Sequence, residues 1–258
     1  MLSSRTWSIF LIAVLVGEFL INVSPAATAI IDALVVVAAL TQFGWAQRSP
    51  LAIGDTAGRL LPAVALVALM RLLSLTMPVP SLPPVMWIVL AGGPLLVAVA
   101  ATARLLVLNA RDLGLTRRPR SVFTVSVIVL SAPAGLLLSA IAPYNPIESV
   151  GSPFFSGLVA AAVVCCAVIP EELVFRGILQ PLLTARVGRL AVIVATLAFA
   201  ATYVGSGSVV VVALLGFAGL AYGVDAARTG SLWGPLLGHS ILSVTATVIG
   251  PALAHTPL

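Results

Sequence analysis

The chain contains no lysine, and only 8% of its 258 residues are charged, against about 25% in ordinary soluble domains. That scarcity excludes a solvated surface of the usual globular kind. The net charge of +5 is carried by arginine, and no basic run interleaves with aromatics, so a nucleic-acid patch is excluded as well. Cysteine is confined to Cys165 and Cys166. Two adjacent cysteines in one apolar run suit neither a bridge between distant segments nor a CxxC metal or redox pair, and they read as small core residues. No hydrophilic segment is long enough to form a separate domain, and no repeat period suggests a solenoid.

What the chain has instead is apolar sequence, 60% of the total. The expectation is an all-α, polytopic integral membrane bundle of about 8–9 transmembrane helices, each span about 20 residues long. Apolar runs place them near 7–23, 26–46, 60–77, 84–103, 121–143, 154–173, 188–204, 208–227 and 231–250. Glycine and proline mark the joints, notably at Ser24-Pro25, Pro78 to Pro84, Pro143 to Pro153 and Gly205-Ser206-Gly207. The first run has a signal-peptide-like layout, with Arg5 ahead of it and Ala27-Thr28-Ala29 behind. Its length and the span that follows at once favour a transmembrane helix.

Positive charge collects in alternate loops of this nine-span layout. Arg5, Arg48, Arg59, the group from Arg104 to Arg120, Arg176, Arg186, Arg189 and Arg228 fall on one side, and the other loops carry only Glu148. The positive-inside rule then predicts a cell-membrane protein with a cytoplasmic N-terminus and an external C-terminus. It also puts Glu171 near the cytoplasmic end of the sixth span. Arg71 is the exception, inside the third span, where it is expected to snorkel or to pair with Glu18 or Asp32. The stretch Asn109 to Arg120 reads as interfacial, its arginines facing lipid headgroups.

Chemistry concentrates at Pro170-Glu171-Glu172-Leu173-Val174-Phe175-Arg176-Gly177. Glu172 and Arg176, four apart, share a helix face and can pair. Glu171 is left without a local partner, and an ionisable group in a membrane span marks a polar interior site. Two further i,i+4 pairs lie in later spans, Phe199 with Tyr203 and His239 with Ser243. Of the two histidines, His239 is within an apolar helix and His255 is in the tail.

Together these residues resemble the CAAX protease and bacteriocin-processing (CPBP, or Abi) family, which includes the type II CAAX prenyl endopeptidases. The resemblance is carried by Glu171-Glu172-x-x-x-Arg176, by Phe199-x-x-x-Tyr203, by the glycine-rich span from Gly216 to Gly223, and by Thr229-Gly230-Ser231-Leu232-Trp233 through His239 to Ser243. It covers roughly residues 109–250. It implies two parts, N-terminal helices without motif over 1–108 and a CPBP-like membrane core carrying the polar site over 109–258. It further implies an intramembrane site in which Glu171 activates a water for attack on a peptide carbonyl. Glu172 and Arg176 would support the motif helix, and His239, with a polar residue four later, would steady the oxyanion.

Two positions depart from the family pattern. Tyr203 stands where the second motif has histidine, and Ser243 where the third has asparagine. Zinc, which the resemblance brings into view, would find an incomplete ligand set, since a phenol is a poor ligand and a catalytic zinc takes three protein donors. Two readings stay open: a CPBP-type endopeptidase built on Glu171 and His239, or a catalytically degenerate accessory subunit of a membrane complex such as a transporter. Either way the expected partners are the lipid bilayer and a membrane protein or peptide, not nucleic acid. An inverted-repeat carrier is disfavoured, because the two halves show no matching pair of broken helices.

Overall fold

The structure is a computed structural model that describes residues 6–48, 56–76, 84–118, 121–142 and 153–254. Arg5, Arg120, Glu148 and His255 lie outside the described residues. Nine helices and no strand make up the described chain. They are α1 (Thr6–Leu20), α2 (Pro25–Ala46), α3 (Thr56–Thr76), α4 (Pro84–Leu105), α5 (Val122–Ile141), α6 (153–187), α7 (Leu190–Ala201), α8 (Val209–Thr229) and α9 (Trp233–Ala254). Seven are long and apolar enough to cross a membrane, whereas α1 and α7 are shorter apolar helices. The protein is therefore a polytopic membrane bundle.

Local sequence explains where the helices begin and end. Ser24, Ser121 and Ser208 each cap a helix by accepting a first-turn backbone N–H, which satisfies one of the donors a helix start leaves orphaned. After α8 the backbone turns left-handed at Gly230 (φ 61°), a conformation glycine adopts without strain. Outward faces stay apolar, with Ile9, Ile12 and Phe19 on α1, Val125 and Val129 on α5, and Phe217 on α8 all exposed. Such faces suit lipid and not water. The centre is α3, whose stretch from Leu60 to Ala68 is buried throughout among α1, α2, α4 and α6.

The sixth helix differs from expectation. It does not stop at residue 173 but runs on to Val187, so Glu171 sits mid-helix, about 24 Å of helical rise from that end. Two π-helical turns interrupt it, Val163–Val168 and Leu173–Leu179, each just ahead of a proline, Pro170 and Pro181. A proline lacks an N–H and crowds the carbonyl four residues earlier; widening the preceding turn absorbs both defects without breaking the rod. The same pairing recurs in α9, where Thr245–Ile249 precedes Pro251. Pro62, Pro94 and Pro133 sit inside helices that remain α, so proline permits the π turn but does not compel it. Around Pro170 the displaced carbonyl is that of Cys166, and it presses on α4 where Gly92 offers no side chain.

Candidate active site

Glu171 and Glu172 occupy the short α-helical turn between the two π segments of α6. Glu172 is fully buried. Its Oε1 accepts from Arg176 Nη1 at 3.1 Å and faces His239 Nδ1 at 2.8 Å. The expected i,i+4 pair therefore forms, and it reaches across to α9. Arg176 also donates through Nη2 to the Gly219 carbonyl of α8 at 2.9 Å, and its guanidinium lies 4.2 Å from the Phe199 ring centroid. One buried arginine thus ties together α6, α7 and α8.

Glu171 points elsewhere. Its side chain is 20% exposed, and Oε2 accepts the Tyr203 hydroxyl at 3.0 Å. His239 Nε2 lies 3.9 Å from the same oxygen. With Nδ1–H donated to Glu172, that nitrogen is directed at Glu171 across a gap too long for a direct hydrogen bond. A water touching both atoms at ordinary hydrogen-bond length fits such a gap. The imidazole is 3% exposed and held edge-on by Phe199 at 5.6 Å, which in turn meets Phe175 and Tyr203 edge-on.

Six of the seven singled-out side chains, Glu171, Glu172, Arg176, Phe199, Tyr203 and His239, are brought together. Ser243 lies one turn further along α9, and among the described residues its hydroxyl makes no hydrogen bond to Glu171, Tyr203 or His239; its carbonyl accepts from Thr247. Sequence reasoning missed Tyr222. This buried tyrosine of α8 stacks on His239 at 5.7 Å and shares a 2.9 Å hydrogen bond with Ser131 of α5. The signal was present in the glycines around it: a Cβ at Gly219 would strike Phe199 and Arg176, and one at Gly238 would strike Tyr222. Glycine here is an allowance for close approach, not for turning.

Within the stretch expected to be interfacial, residues 114–117 make specific contacts of their own. Gly114 and Leu115 offer their carbonyls to Leu232 N and Trp233 Nε1, and Arg117 offers its own to Ser231. The segment thereby clamps the start of α9, the helix that carries His239. A second brace is Asp225, buried on α8, which accepts from Thr124 at 2.6 Å and packs against Gly234 where any Cβ would collide.

The donor set does not make a catalytic zinc site. Both contacts of Glu172, from Arg176 and with His239 Nδ1, fall on Oε1. Its Oε2 is unpartnered among the described residues, but it belongs to a carboxylate whose charge Arg176 already answers. The donors without a charge partner are therefore Glu171 and His239 Nε2, one short of the three protein ligands such a site takes. Among the described residues no group of three or more His, Cys, Asp or Glu is arranged to hold a metal ion.

Fold and site together define a multi-pass membrane protein with a buried glutamate–histidine centre. Residues 153–245 match the family described as type II CAAX prenyl endopeptidase Rce1-like. That segment contains every residue of the centre, and the match supports assignment to the CPBP and CAAX protease family. No curated protein and no solved structure matches the chain.

Proposed function

We propose that the protein is a CPBP-type intramembrane endopeptidase whose site is built on Glu171 and His239 and faces the cytosol. The observation that carries this reading is the division of labour between the two glutamates. Glu172 is buried and holds both Arg176 and His239 through Oε1, whereas Glu171 is partly open and faces His239 Nε2 at 3.9 Å. In this reading a water in that gap loses a proton to the Glu171 carboxylate as its oxygen adds to a peptide carbonyl. The C–N bond of the tetrahedral intermediate then breaks as the proton on Glu171 passes to the leaving amine. With the arginine-rich end taken as cytosolic by the positive-inside rule, this reading has the N-terminus in the cytoplasm and the C-terminus outside a cell membrane.

A second reading is favoured by one contact. The Tyr203 hydroxyl fills a coordination position on Glu171 that a base needs free, as in a degenerate member that serves as an accessory subunit of a membrane complex and binds a protein or peptide partner. Side-by-side purification of the tagged parent and Glu171→Ala from native membranes in mild detergent, with mass spectrometry of co-purifying proteins, separates the two. A protein retained intact by the variant and found shortened with the parent is the result expected of a protease. Stoichiometric partners retained equally by both would overturn that assignment in favour of the accessory subunit.

A further inference from the structure

A cavity of about 260 Å³ lies beyond the glutamate–histidine centre, between the 111–117 segment, the Arg176 to Pro181 stretch of α6 and the loop from Gly230 to Leu232. Arg111 and Arg117 line it, and Arg176 lies at its inner wall. Neither the Arg111 nor the Arg117 guanidinium donates a hydrogen bond or forms an ion pair among the described residues. Asp112 also lines the cavity, but its Oδ2 is engaged by the Asn109 backbone N–H at 2.9 Å. Arg176 is already answered by Glu172. Three guanidinium charges against these two carboxylates leave one positive charge in excess, inside a concave site.

We propose that this cavity binds the phosphate group of an anionic phospholipid headgroup. A phosphodiester carries the single negative charge that balances the excess, and two guanidinium forks are suited to its paired oxygens. Both side chains are exposed, but the backbone that carries them is fixed to α9 through the carbonyls of Gly114, Leu115 and Arg117, so binding has only the two side chains to order and not the segment. The location favours a lipid over a soluble ion. Arg59, Arg111, Arg117 and Arg228 gather at this end of the bundle, where headgroups meet helices whose outer faces are apolar. Because Arg176 is shared between the cavity wall and Glu172, headgroup occupancy and the order of the His239 centre are linked reciprocally. The proposal holds for a protease and for an accessory subunit alike.

The test uses the full chain purified in neutral detergent, its unfolding temperature followed as mixed micelles of phosphatidylglycerol or phosphatidylcholine are added, with inorganic phosphate as a third arm. Phosphatidylglycerol is expected to raise the midpoint by roughly 5–10 °C at a hundredfold excess over Kd, with phosphatidylcholine and inorganic phosphate nearly silent. R111Q/R117Q is expected to abolish the shift, and each single variant to lose about half of it, which keeps the test open if the double variant does not fold. R118Q/R189Q, which removes two exposed arginines outside the cavity, is expected to keep the full shift. A full shift in R111Q/R117Q, or an equal loss in R118Q/R189Q, would overturn the site. An equal shift with inorganic phosphate that depends on Arg111 and Arg117 would overturn the lipid as its source.

Discussion

Replacing Arg176 with methionine keeps an apolar stem in place of the arginine side chain and removes only its charged head. Two hydrogen bonds disappear, to Glu172 at 3.1 Å and to Gly219 at 2.9 Å, along with the guanidinium lying over Phe199. If polar ties between helices in lipid were all that mattered, each would be worth about 0.6 kcal/mol, and the loss would stay near 1 kcal/mol. The larger effect is what remains: Glu172 is fully buried, with Oε2 already unpartnered among the described residues. Orphaning a buried charge costs about 3–5 kcal/mol, and that figure should win. Adding Glu172→Gln removes the orphan charge while its amide oxygen still accepts from His239. The double variant is therefore expected to recover at least about 2 kcal/mol relative to the sum of the singles. Reversible unfolding in mixed detergent micelles reads both numbers, and abundance in membranes gives an independent check. A loss of less than about 1 kcal/mol for Arg176→Met, or strict additivity in the cycle, would refute the claim that this pair holds the centre together.

Other perturbations probe the supports. Tyr222→Phe removes only the bond to Ser131 and should cost about 0.6 kcal/mol in an unfolding titration, whereas Tyr222→Ala also empties the stack on His239 and should cost about 3–5 kcal/mol; equal losses would show that the ring does not support the imidazole. Gly234→Ala drives a methyl into Asp225 and should lower stability by about 1–3 kcal/mol, so an unchanged melting curve would mean that the carboxylate is not wedged against α9. In the N-terminal helices Arg71 pairs with Glu18 at 2.6 Å, while Asp32, fully buried beside them, has neither carboxylate oxygen partnered among the described residues. Asp32→Asn keeps the shape and is expected to leave the midpoint equal or higher; a drop of more than about 1 kcal/mol would reveal a partner for that carboxylate.

The apolar stretches were legible because hydropathy alone marks nine runs, and all nine became helices. The end of α6 was not: Glu171, Glu172 and Arg176 look like the close of a span, yet they are paired inside the bundle, and the helix continues through two prolines by widening its turns. Local pairing was readable as well. Glu172 with Arg176 follows from spacing, and Glu18 was one of two partners named for Arg71. Contacts between distant elements left no such trace. Nothing in the chain announces that Tyr203 reaches Glu171 across 32 residues, and the only hint of Tyr222 beside the imidazole is Gly238, which leaves room for its ring, since an aromatic in an apolar span looks like packing. The role of 109–117 was hidden for a different reason. It works through backbone carbonyls, which every residue has, so its side chains pointed only to the lipid interface.

Tyr203 is the position where the two functional readings part, and its geometry gives a direct way to separate them. The phenol reaches Glu171 and donates to it, filling space beside the carboxylate with a neutral group. Tyr203→His substitutes a shorter ring, which withdraws from Glu171 and leaves room for an ion, and it supplies a nitrogen donor where the phenol was a poor one. Glu171, His239 Nε2 and the introduced imidazole then amount to three donors, the number a catalytic zinc takes. The variant is expected to retain about one zinc per chain after dialysis against a weak chelator, measured by elemental analysis, with the parent retaining none. Glu171→Ala in the variant background should abolish retention, which ties the metal to this centre and not to the surface. Zinc retained equally by parent and variant would refute the argument that the donor set is one short, and with it the claim that Tyr203 sets the chemistry of the site.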